Sequence, residues 1–341
     1  MKNQKGFVFC LTLLLVLSLA AACSQPAAAP PVTADPAAPA SSTQIAFPEK
    51  PLDLTILFGA GSASDVVARK LTDLVTQEIG QTIVANNRVG GGGAVGYQHV
   101  LSTDPDGYNI VWNSTSISTT YHQGNMPADQ GFEAFAGIAN ITLESAALAV
   151  GPDAPYQTIE EFVAYCQEHP GEVTVANSGV GSFNHLVAAA LENAAGISVK
   201  HIPMDAKQST TALLGGQVDA ICNMTFDIVQ QEQAGQIKTL AVVSEERHAL
   251  LPEVPTLKES GYDVTIMMYR GIAAPKGTPA EVISKLETAF LAAANSEDFQ
   301  SFAAQYGVEV KPMGAAEFDL YMAEQDQEVA DLMETLGIKT Q

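Results

Sequence analysis

Leu52 to Arg69 reads LDLTILFGAGSASDVVAR, an apolar run that passes through a small polar loop into a helix. Leu54, Ile56 and Phe58 alternate with Thr55 and Leu57 as in a short strand. Gly59 and Gly61 then permit a tight turn around Ala60, and Ser62 or Ser64 caps a helix opening near Ala63. A turn of this kind aims unpaired backbone N–H groups and the positive end of a helix dipole at one point, which makes a seat for an anion such as a carboxylate. The design recurs at Val173 to Ala188, VTVANSGVGSFNHLVA, where Ser178, Gly179, Gly181 and Ser182 precede an apolar helix. Two seats imply two walls. Neither loop is a nucleotide fingerprint: the first lacks the Lys-Ser/Thr pair of a phosphate loop, and the second lacks a ribose-binding acid about 20 residues on. Strand-glycine-helix turns also occur in α/β domains with no ligand to hold, so the argument rests on the repeated serine chemistry.

Residues 1–22 carry Lys2 and Lys5, an apolar run from Phe7 to Leu19 and small residues Ala20 to Ala22, the pattern of an export signal too short for a membrane span. Ala20-Ala21-Ala22-Cys23 resembles a bacterial lipobox, with Cys23 lipidated; simple secretion with cleavage near the alanines is the alternative. Residues 23–47 are almost all Ala, Pro, Ser and Thr and read as a disordered tether. The remainder is too long for one small core and suits two α/β lobes. Of 16 basic and 38 acidic residues, Lys2 and Lys5 leave with the signal, so the mature chain stands at 14 against 38, near −24. That balance excludes a nucleic-acid footprint, and an anion site must work through local N–H groups. Cys166 and Cys222 either form a disulfide or stay as buried thiols. No metal-ligand spacing is present, and no cofactor is expected.

Further along, Thr82 to Ala85 is a strand, and Arg88 before Gly90 to Gly93 ties that loop to the domain in preference to holding a ligand. Tyr108 to Trp112 is the third strand, with Asn113, Ser114 and Thr115 at its carboxyl end, where open α/β sheets take their ligands. Phe135 to Val150 leaves the first lobe for the second, and Val264 to Ala274 returns, so the crossings make a hinge. In the second lobe Asn184 and His185 fall in the first turn of a helix; His185 either donates to a carboxylate or makes a structural hydrogen bond. Asp227 caps or opens the helix after Val218 to Cys222, or meets a ligand ammonium group. Leu251 to Thr256 introduces a short helix. On the returning strand Tyr269 can stack on a ligand and Arg270 can grip a carboxylate in bidentate fashion.

The segments LFGAGSASDVVAR (57–69), Asn87-Arg88 with the glycines, DPDGY (104–108), NSGVGS (177–182) with His185-Leu186, LGGQVD (214–219), LPEVPT (251–256) and RGIAAPKGTP (270–279) run in one order over nearly all of Pro48 to Gln341. Together they resemble the extracytoplasmic solute receptors of tripartite tricarboxylate transporters, the Bug receptors. That resemblance implies a two-lobed α/β periplasmic-binding-protein fold of type II-like, Venus-flytrap form. Two strands cross its hinge, with a first lobe of residues 48–145 and 268–341 and a second of 146–267. It also implies a ligand carboxylate held by Phe58, Gly59, Ala60, Gly61, Ser62 and Ser64 of the first loop, by Ser114 and Thr115, and by Ser178, Ser182 and Asn184; Gly181, His185, Asp205, Ala206, Asp227, Tyr269 and Arg270 are further candidates read from the residues themselves. The chain departs from the family pattern at Gly59-Ala60, where prolines are usual, and at Met204-Asp205-Ala206-Lys207, so Asp205 either rejects a tricarboxylate or welcomes an amine.

The implied partners are a small organic acid, the transporter's membrane permease subunits and, through Cys23, a membrane surface outside the cytoplasm. Carboxylate binding would favour the closed state, which the permease reads. Two other classes remain at this stage. A serine hydrolase lacks its G-x-S-x-G elbow and any evident triad order; a sensor ectodomain would share the fold.

Overall fold

The computed structural model describes residues 46–338; the signal, Cys23 and most of the tether lie outside the described residues. In chain order the elements are β1 (Leu52–Ile56), α1 (Ala63–Ile79), β2 (Ile83–Asn87), α2 (Ala94–Leu101), β3 (Asn109–Ser114), α3 (Ser116–His122), β4 (Phe135–Glu144) and β5 (Ala146–Val150). There follow α4 (Ile159–Glu168), β6 (Thr174–Asn177), α5 (Phe183–Ala195), β7 (Lys200–Pro203), α6 (Ala206–Leu214), β8 (Ala220–Met224), α7 (Thr225–Gln233) and β9 (Lys238–Val243). The chain closes with β10 (Met268–Pro275), α8 (Ala280–Ala294), α9 (Glu297–Tyr306), β11 (Glu309–Gly314) and α10 (Ala315–Thr335). A six-stranded sheet runs β11-β4-β10-β3-β1-β2, and a five-stranded sheet runs β7-β6-β8-β5-β9.

Alternation along the strands gives each sheet two buried faces. In β10, Ile272 and Ala274 join Val67, Leu71 and Phe290 on one face, while Tyr269 and Ala273 join Tyr97 and Phe318 on the other. The second sheet divides likewise between a core with α4 and α5 and one with α6 and α7. Gly271 is where β10 passes closest to its neighbours: an added Cβ would stand 2.5 Å from the Ala139 carbonyl oxygen and from Phe318 Cζ. Gly271→Ala is therefore expected to cost about 1–3 kcal/mol, seen as a lower thermal midpoint. An unchanged midpoint would contradict this packing.

The apolar run Phe135–Val150 is two strands of two different sheets, separated by Ser145 alone. Three segments differ from the sequence expectation: the residues after Thr256, those of α3, and the start of the return strand. No helix follows Leu251–Thr256; Thr256 bridges to Val242 in parallel register, and the Leu257 N–H donates to the Val242 carbonyl, so the segment is pinned to the β9 edge. The helix α3 was not anticipated, because SISTTYH is poor in helix formers and is held by packing against α10 and the glycine turn. The return strand starts at Met268, not at Val264.

The C-terminal helix belongs to both halves, contrary to its assignment to the first lobe alone. Phe318 and Met322 pack in the first sheet's core, whereas Val329 and Met333 are fully buried in the core of the second with Val187 and Leu191.

Candidate ligand-binding site

The strand directions set two edges face to face. Strands β1 and β3 are parallel, and β10 is antiparallel to both β3 and β4, so β1, β3 and β4 end where β10 begins. One residue after β4, β5 starts in the second sheet. It is antiparallel to β8, which is parallel to β6, and β6 to β7; those three end where β5 begins. The loops after β1 and β3 and those after β6, β7 and β8 thus meet at the boundary between the sheets.

The two serine-bearing turns are one device built twice. In the first, Ser62 N–H donates to the Gly59 carbonyl, the Ser62 hydroxyl accepts from Asp65 N–H, and Gly61 N–H donates to the Asp65 carboxylate four residues on. In the second, Ser182 N–H donates to the Gly179 carbonyl, the Ser182 hydroxyl accepts from His185 N–H, and Gly181 N–H donates to His185 Nδ1. Gly61 and Gly181 have φ of 80° and 73°, the left-handed region that glycine reaches without strain. Part of each expected seat is therefore filled by the chain itself. The N–H groups of the first helical turns, of Ala63 and Ser64 and of Phe183 and Asn184, have no intrahelical carbonyl.

Asp65 is the organiser that sequence reading missed, although its spacing from Arg69 was a signal. Its carboxylate receives Gly61 N–H, Asn87 Nδ2 and Arg69 Nε, and Asn87 also donates to the Phe58 carbonyl. Burial acts to raise this carboxyl, but the three donors outweigh it and hold it below its ordinary value.

His185 makes a structural hydrogen bond through Nδ1. With Nδ1 accepting from Gly181, the ring is neutral; burial first, and the His201 ring beside it second, push it down to about 4 against the opposing charge of Glu192. The unfolded chain binds this proton near its ordinary 6.5, so stability contributed here is full at neutral pH and is lost as pH falls through that value. Acidification from about pH 7 to 5 should cost about 2 kcal/mol through this group. Thermal midpoints across that range should fall less in His185→Gln; an identical fall in both would contradict the assignment.

The remaining residues sort by the edge they occupy. Ser114 and Thr115 are buried at the end of β3, with Ser114 Oγ bonded to Ser116 Oγ and Thr115 Oγ1 accepting Tyr269 N–H. Asn184 donates to Ser178 Oγ and leaves its own Oδ1 buried without a partner. Ser64 Oγ is likewise buried and unpartnered, while Ser62 is the cap. Asp205 spends its carboxylate capping α6 by accepting Gln208 N–H, which sets Ala206 as the first helical residue. Of the two helix-start readings, Asp227 is in the opening turn and Met224 stands at the cap position.

Tyr269 does not face the ligand edge. Its ring is fully buried, packed edge-on against Phe318 and Tyr321. Arg270 does not hold its whole guanidinium free either, since Nε donates to Glu144 at 2.8 Å. Arg88 ties its loop to the domain, pairing with Asp53 and Thr55. Cys166 and Cys222 are separate buried thiols, each pushed up to about 12 by burial. Across the boundary, Gln123 Nε2 donates to the Gly181 carbonyl at 2.6 Å, and Phe226 stacks on Tyr306 at 4.9 Å.

Residues 67–338 match the model of the tripartite tricarboxylate transporter family receptor. A Cupriavidus necator protein named for the gbd 5′ region, UPF0065, is 30% identical over 307 residues, covering 89% of this chain and 92% of its own. Among solved structures, the periplasmic binding protein BugD is 31% identical with a TM-score of 0.78, over 86% of this chain and all of its own. MatC of Rhodopseudomonas palustris, solved with bound malate, is 25% identical with a TM-score of 0.76, over 84% of this chain and 99% of its own. These relatives are two-lobed α/β binding proteins, not enzymes, and they act outside the cytoplasm. With two facing sheets, paired capped turns and a family match over most of its length, this chain belongs to the tripartite tricarboxylate transporter receptor family as an extracytoplasmic solute receptor.

Proposed function

We propose that this receptor holds a small organic carboxylate between the first turns of α1 and α5 and presents it, lobes closed, to the permease subunits of a tripartite transporter. The observation that carries this is the repeated turn on two facing edges, joined by the Gln123 to Gly181 hydrogen bond. Backbone N–H groups fixed by Ser62 and Ser182 lose little freedom on binding, and two helix ends add positive potential in a chain whose net charge is −22. Ser114, Thr115, Ser178 and Asn184 supply the polar walls. Cys23, outside the described residues, is the proposed lipid attachment point, and the Ala/Pro-rich stretch after it gives the receptor reach from a membrane surface.

Closure then needs differential stability: the ligand bonds both edges only when they approach, so it favours that state. Thermal-shift and calorimetric titration against di- and tricarboxylates, acidic amino acids and aromatic acids tests the reading. A ligand at about 100 times its Kd should add about 2.7 kcal/mol and bind one-to-one without turnover. Failure of every acid in the panel to shift the midpoint would contradict it.

A further inference from the structure

We propose that Asp227 and Arg270 select the ligand: a hydroxyl group fits between the Asp227 carboxylate of the second half and the free Nη1 of Arg270 in the first, so hydroxy-carboxylates are preferred to their unsubstituted and amino-substituted counterparts. This rests on the receptor reading above and adds the substrate class.

Arg270 lies at the start of β10, paired in register with Ser114 at the ligand edge. Its Nε is committed to Glu144, and its Nη1 is buried with no partner. Only 4% of Arg270 is exposed, so bulk water does not satisfy that donor. Asp227, on the opposite edge, is only partly exposed and makes no hydrogen bond or ion pair. Its helix start is held against the first half: Thr225 Oγ1 lies 3.2 Å from Ser145 Oγ at the crossing, and Phe226 stacks on Tyr306. There Asp227 feels Glu144 and Arg270. Burial first and the Glu144 charge second push its carboxyl up to about 7, with Arg270 opposing.

An unused buried donor and an unused acid on two facing edges call for a group that both accepts and donates. A hydroxyl does both. Above about pH 7, where Asp227 is ionised, a second carboxylate in that place accepts from Arg270 but is repelled by Asp227 and Glu144; an ammonium pairs with Asp227 but is repelled by Arg270 and has nothing to offer Nη1. Asn223 adds to the same side. Ser209 Oγ gives its proton to the Ala206 carbonyl, so Asn223 Nδ2 must donate to Ser209, and the atom left buried and unpartnered is the acceptor Oδ1.

Calorimetric titration of the full chain with both hands of malate, with succinate and with aspartate reads the preference directly. The better-bound malate should exceed succinate and aspartate by about tenfold or more. Asp227→Ala should bring the malate-to-succinate ratio within about threefold. Asp227→Asn keeps an acceptor and should retain part of the ratio, which separates lost hydrogen bonding from a disturbed fold. Succinate or aspartate matching malate, or an unchanged ratio in Asp227→Ala, would overturn the inference. Binding of none of these C4 probes would overturn this inference alone; the receptor reading falls only if the wider panel of acids also fails to bind.

Discussion

Arg270→Met is expected to lower stability by about 3–5 kcal/mol. Arg270 and Glu144 have side chains only 5% and 3% exposed, and Arg270 Nε donates to Glu144 at 2.8 Å. Thr142 Oγ1 adds a weaker bond to the other carboxylate oxygen at 3.3 Å. Removing the guanidinium leaves the carboxylate with that hydroxyl alone, and Asp227 nearby adds a like charge. The double variant Glu144→Leu/Arg270→Met removes both charges and should recover most of the loss, because a buried pair gains little over apolar residues of similar volume. Thermal unfolding of the two single variants and the double variant checks this. Additive losses would show that the pair is not the coupled unit described.

Met333→Ala should cost about 2–5 kcal/mol, as for other fully buried methionines. Met333 is fully buried beside Val329, in a core made mainly of the second sheet, α4 and α5, although the helix that carries it begins over the first sheet. Its loss opens a cavity at the point where α10 joins the two halves. Leu320 on the same helix is 69% exposed, and Leu320→Ala should stay within about 0.5 kcal/mol of the parent. Equal effects of the two substitutions would mean that α10 does not pack as described.

The strand-turn-helix units at Leu52 to Arg69 and Val173 to Ala188 were readable because glycine, the serine caps and the apolar periods all agree locally. The crossing at Ser145 carries no local turn signal, since one residue separates two apolar strands; there only the family pattern marks the division. The division of α10 was hidden because its buried stripe runs on through Gln325 from Met322 to Val329, and only tertiary packing assigns Phe318 to one core and Met333 to another. At the site, residue type offered Ser62 or Ser64 as the first cap and set Ser182 before the second helix, but it did not show that the Tyr269 ring packs on Phe318 and Tyr321. Strand alternation fixes which residues share a side and says nothing of which side meets the ligand. Asp65 and His185 show the same limit, since only the folded turn reveals that each accepts a glycine N–H four residues back.

The central claim is that a carboxylate is held by main-chain N–H groups of both helix starts at once. A crystal structure of the receptor with a bound acid identified by calorimetry tests it most directly. The prediction is carboxylate oxygens within hydrogen-bonding distance of N–H groups in the first turn of α1 after Ser62 and in the first turn of α5 after Ser182. An acid seated on one half alone, or away from the boundary between the two sheets, would contradict it.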